Sequence, residues 1–177
     1  MIRITTRENH PKSHVVTSGT LVLDSTGRGG SDGERRMDDD ERRWIADTLE
    51  RLSHSAFRAK FALAAKDRAY ARDKGREVID RHAHEMLRDR VGDAIPRNDG
   101  RQTPWRGHPV FTAQHATATC CRGCIEKWHH IERGRALSEA EVNRLADLVM
   151  AWIERDLAAH PARPTRSDRP GGMTPLF

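Results

Sequence analysis

The sequence contains no long apolar run. A membrane-spanning helix needs roughly 20 consecutive apolar residues, and stretches such as Phe61–Ala65 are a handful long. A transmembrane helix is therefore excluded and no membrane partner is expected. The opening residues, Met1-Ile2-Arg3-Ile4-Thr5-Thr6-Arg7-Glu8, offer no apolar core for a signal peptide, so a cytoplasmic location is expected. Cysteine is also scarce. Three thiols, two of them adjacent, make a poor disulfide framework, and in a reducing compartment clustered thiols more often bind metal or do redox chemistry. A dominant charge sign is missing too: 31 Lys and Arg face 26 Asp and Glu, and the excess of +5 is spread thinly along the chain. Nucleic-acid binding gathers its cations on one face to neutralise several phosphates together, so the composition favours a mixed-sign solvated surface.

What is present is one domain's worth of chain, 177 residues, with composition shifts near both ends. Residues 1–38 include Ser25-Thr26-Gly27-Arg28-Gly29-Gly30-Ser31-Asp32-Gly33, which has no apolar side chain to bury and much backbone entropy to lose. A flexible arm is expected there, with Thr20-Leu21-Val22-Leu23 as an isolated strand-like alternation. Residues 161–177 hold four prolines and two glycines without periodicity and are expected to be a disordered tail. The remaining 39–160 form the expected helical domain.

Within it the 3.6-residue period dominates. Ile45, Leu49, Leu52 and Ala56 recur on one face behind the acidic run Asp38-Asp39-Asp40-Glu41, which complements a helix N-terminus. Residues 64–74 are strong helix formers stopped or bent at Gly75. A further helix carries Ile79, Ala83, Met86 and Leu87 on one face. Gly92–Gly107 reads as a loop, and Pro109 suits the first turn of the next helix, which would run through Val110, Ala113, Gln114 and Thr117, with a break at Gly123 and a further turn through Trp128. Ser138 and Glu141 form a capping-box pattern ahead of Val142, Leu145, Val149 and Trp152. The expected fold is all-α, an irregular bundle of about five helices with a Cys/His-rich loop-helix segment.

All three cysteines and six of ten histidines fall within residues 82–130. Zinc prefers four thiolate or imidazole donors in a tetrahedron. Cys121-Arg122-Gly123-Cys124 supplies a C-x2-C half of a knuckle, and His129 or His130 follows at C-x4-H or C-x5-H. The second half is missing, because Gly134 stands where a last cysteine would. The fourth ligand must then come from outside the motif, from His115 or His108, which are seven residues apart, or from His82. Cys120 reads first as a small buried hydrophobe. Covalent haem attachment fails at Ile125, a thioredoxin-like site lacks its preceding strand, and H-E-x-x-H is absent. A catalytic cysteine with a histidine base, its thiol pKa lowered by Arg122, Lys127 or a helix N-terminus, stays open. The preceding loop, Asn98 through Pro109, gathers Asp99, Arg101, Trp105 and Arg106 beside these donors and is a second candidate for ligand contact.

Several strings resemble one family: Asp99-Gly100-Arg101-Gln102-Thr103-Pro104, Gly107-His108-Pro109-Val110-Phe111, Ala113 through Cys124 (AQHATATCCRGC), Lys127-Trp128-His129, and Gly134 through Leu137. Together with Ser55–Phe61 and Asp67-Arg68-Ala69-Tyr70, they are similar to a small bacterial domain-of-unknown-function family, number four-one-eight-six, over roughly residues 50–157. The resemblance implies a bacterial protein, carries no activity with it, and favours His129 over His130 as a ligand. Three functions are therefore expected, in order. The first is a structural or regulatory zinc domain using Cys121, Cys124, His129 and one of His115 or His108. The second is a metal-dependent hydrolase or nuclease with Glu126 or Asp99 as base. The third is a nucleic-acid-binding module using Arg101, Trp105, Arg106, Arg122 and Lys127. Cys120, Asp99, Arg101, Trp105, Arg106, Arg122 and Lys127 are the candidate ligand contacts.

Overall fold

In the computed structural model the described residues are 37–162. Of the expected arm (1–38) and tail (161–177), residues 1–36 and 163–177 lie outside them. The described residues fold into six helices without a strand: α1 (Asp39–Ser53), α2 (Ala65–Lys74), α3 (Arg76–Val91), α4 (Pro109–Ala116), α5 (Arg122–His129) and α6 (Glu139–Ala159). None is long and apolar enough to cross a membrane.

The acidic run and the Ser/Glu pair do what their chemistry dictates. Asp38 caps α1 by accepting from the Glu41 N–H, and Ser138 and Glu141 close a reciprocal capping box on α6. Gly75 separates α2 from α3 at φ +77, a left-handed conformation that side chains with a Cβ adopt at a cost. The long α6 is the hub, packing against α1, α3 and α4. Its Val142, Leu145, Ala146, Val149, Met150 and Ile153 meet Ile79, Ala83, Leu87 and Val91 of α3, with Val110 and Ala113 of α4 and Ile125 of α5 closing the core. Each such Leu, Ile or Val contributes roughly 1.5–3 kcal/mol when fully buried. Asp156 ties α6 to the segment before α2, accepting from the Leu63 N–H at 3.1 Å and from Arg68 through two donors at 2.6 and 3.1 Å.

Two expectations about helices need correction. Ala56 lies beyond α1, which ends at Ser53. The break in the Cys/His segment falls at 117–121 rather than at Gly123, which is the second residue of α5. The cause is local. Thr117 turns its hydroxyl back onto the Ala113 carbonyl, Ala118 takes φ +59, and the Thr119 N–H returns to the Gln114 carbonyl, closing a left-handed helix stop with alanine where glycine is usual. The two helical pieces expected on either side of the break are α4 and α5, with the cysteines at their junction.

Candidate metal centre

The helix stop at Ala118 delivers the chain to Cys120 and Cys121, and α5 begins immediately. Cys121 is the N-cap residue of α5, its sulfur accepting from the Cys124 N–H at 3.4 Å. Asp99 accepts from the next orphan donor, the Arg122 N–H, at 3.0 Å. This folding brings the sulfurs of Cys120, Cys121 and Cys124 within 4.8 Å of one another. Three thiolates on a tetrahedral zinc, with bonds of about 2.3 Å, stand about 3.8 Å apart. Contraction by at most about one ångström would bring the cluster to that spacing. No histidine, aspartate or glutamate of the described residues joins that group within the same 4.8 Å.

Electrostatics around the sulfurs favour thiolate at Cys124 and the protonated thiol at Cys120 and Cys121. The Arg58 guanidinium, 8% exposed, donates to the Cys124 sulfur at 3.1 Å and to the His115 carbonyl. Hydrogen bonds from the Cys120 and Cys121 thiols, reinforced by Arg58, hold Cys124 far below the ordinary thiol pKa. Cys120 moves the other way, because its proton is spent on the Cys121 and Cys124 sulfurs and its surroundings are buried. Cys121 is drawn down by the Cys120 thiol but carried up on balance by its bond to Cys124 and by burial. The three sulfurs share protons that a cation of sufficient affinity would displace.

The histidines expected to complete the set have other partners. The His129 ring donates from Nε2 to the Thr117 carbonyl at 2.8 Å, leaving Nδ1 buried and without a partner among the described residues. His115 donates from Nε2 to the Thr103 and Pro104 carbonyls at 3.3 and 3.2 Å, and its ring lies under Trp105 with centroids 4.0 Å apart. His108 caps α4 by accepting from the Val110 N–H through Nδ1, and its Nε2 meets His82 Nδ1 at 3.1 Å. Burial lowers the pKa of both His108 and His129 to about 4, with His82 adding to the effect at His108.

The candidate contacts divide in the same way. Cys120 belongs to the thiol cluster rather than to the apolar core alone. Asp99 accepts at one oxygen from the Arg122 N–H and from Gln102 at 3.1 Å, and Glu126 accepts from Arg133 at 2.9 Å. The Arg122 guanidinium is sealed inside, where it donates to the Val91, Glu132 and Arg135 carbonyls at 3.3, 2.6 and 3.0 Å, and it presents no charge to a phosphate. Arg101, Trp105, Arg106 and Lys127 are exposed. Sequence reasoning missed Arg58. It sits in the turn 56–60, outside any periodic pattern, 66 residues from the thiol it touches. The only signal was its place in Ser55–Phe61.

A family model described as a domain of unknown function, DUF4186, matches residues 46–154, a span running from within α1 to within α6. No solved structure matches the chain.

Proposed function

The chain belongs to the DUF4186 family, a domain of unknown function, and on that footing we propose that it is a helical metal-binding domain holding one zinc ion on Cys120, Cys121 and Cys124. The observation that carries the reading is the convergence of three sulfurs within 4.8 Å at one helix start. Charge supports it. Three thiolates and one Zn²⁺ sum to a single negative charge, and the buried Arg58 guanidinium on Cys124 supplies the matching positive one. The donor set is soft, which suits zinc over calcium or magnesium. No ligand atom of His108, His115 or His129 joins the three sulfurs within 4.8 Å, so in this reading the fourth position falls to water or to a ligand from outside the chain.

The experiment is metal analysis of the purified protein beside Cys120→Ser, Cys121→Ser and Cys124→Ser, with cobalt substitution to report thiolate ligation in the visible spectrum. One equivalent of zinc in the parent, and its loss or marked weakening in all three variants, is expected. A metal-free parent refutes the reading. Undiminished zinc in Cys120→Ser reduces the site to the two sulfurs of the C-x2-C.

A further inference from the structure

The rings that stack around His115 also wall a pocket of about 650 Å³, well inside the usual range of roughly 300–1,000 Å³ for small-molecule sites. Phe61 and Trp105 lie nearly parallel, 8° apart with centroids 6.1 Å apart. Trp105 rests one face on His115 and is still 59% exposed. An indole pinned this way and left open to solvent is a stacking platform for another planar ring.

The charges in this pocket are held apart. Lys60, Lys66 and Arg106 line it, all exposed, and none forms an ion pair among the described residues. Asp67, in the first turn of α2, lines it as well, is only 5% exposed, and its carboxylate makes no hydrogen bond or ion pair among the described residues. Its oxygens are not among the fully buried polar atoms without a partner, so they open onto the pocket as unused acceptors at the N-terminal end of α2. As an ionised group it can only accept hydrogen bonds. The pocket therefore asks for three things in one molecule: a flat ring for Trp105, adjacent N–H donors for Asp67, and an anionic group for the three cations. A bare phosphate fails at Asp67, and a simple cation fails at the lysines.

We propose that this pocket binds a guanine nucleotide, with the base on Trp105, its Watson–Crick edge on Asp67 and its phosphate at Lys60, Lys66 and Arg106. Guanine sets a ring N–H beside an exocyclic amine, two donors spaced for one carboxylate, whereas adenine places a ring acceptor where the first donor is needed. A free nucleotide and an unpaired guanosine within a single strand share this chemistry.

Calorimetric titration of the full chain tests it, using GMP, AMP, guanosine, inorganic phosphate and a short single-stranded RNA with one guanine. GMP is expected to bind saturably at one site, with AMP and guanosine weaker by at least about fivefold. Asp67→Asn should abolish the preference for GMP over AMP. Lys66→Gln should bring GMP down toward guanosine, and Trp105→Ala should weaken both. These last two residues are exposed, so they carry the test if the Asp67 variant does not fold. RNA binding tighter than GMP assigns the pocket to a strand, and RNA binding no tighter assigns it to the free nucleotide. Absence of binding, equal affinity for GMP and AMP, or competition by phosphate alone at the same concentration overturns the proposal.

Discussion

Replacing Arg122 with methionine removes a buried guanidinium while keeping most of its stem. The side chain is 1% exposed, and its donors reach the carbonyl of Val91 at the end of α3 and those of Glu132 and Arg135 before α6. Each hydrogen bond from a charged donor is worth roughly 1.5–3 kcal/mol, but bonds sharing one side chain do not add fully. Three stranded carbonyls cost about 4 kcal/mol together, and the apolar packing of methionine returns about 1 kcal/mol. The expected loss is therefore about 3 kcal/mol, a large fraction of the roughly 5–15 kcal/mol of a typical domain. Urea unfolding monitored by circular dichroism measures it, as a lower midpoint at constant slope. Arg122→Lys should recover half or less, because one ammonium cannot span three carbonyls in the geometry of a planar fork. A loss under about 1 kcal/mol for the methionine variant refutes the reasoning. It would mean that the carbonyls find other donors and that Arg122 does not fix the start of α5. The same substitution should weaken zinc, because Arg122 is the residue that follows Cys121.

Arg58→Gln should lower zinc affinity by about 10–100-fold, the usual effect of losing a group that supports a metal ligand; competition with a chromogenic chelator reads this, and unchanged affinity would remove Arg58 from the site. Stability should also depend on pH through His108 and His129. Both have folded pKa values depressed from 6.5 to about 4, chiefly by burial, so the unfolded chain binds protons first. Their stabilising contribution is fully present above about pH 6.5 and is lost as pH falls toward 4, with a slope of up to two protons. Urea midpoints across this range should show the loss, and His108→Gln should reduce the slope by about one proton; a flat profile contradicts the burial argument.

The helices were legible where one segment contains its own instructions. Asp38, Ser138 and Glu141 act on backbone groups three residues away, Gly75 ends α2 through its own φ, and the apolar faces of α3 and α6 repeat at the helical period. The split between α4 and α5 was not legible in the same way. Ala118 adopts a left-handed conformation that its side chain disfavours, and the buried hydroxyls of Thr117 and Thr119 hold it there. Predicting the break at Gly123 followed the local preference of glycine, and tertiary packing overrode it.

By itself the sequence determined an all-helical domain and a single short stretch where soft donors crowd, because capping, periodicity and C-x2-C spacing are local properties of the chain. Only the tertiary structure decided which donors meet. It brought Cys120 into the cluster, gave His108, His115 and His129 partners elsewhere, sank Arg122, and carried Arg58 to Cys124 from a turn far away in sequence. The physical reason is that the direction of a side chain is set by whatever its element packs against, and a contact across 66 residues leaves no spacing to read.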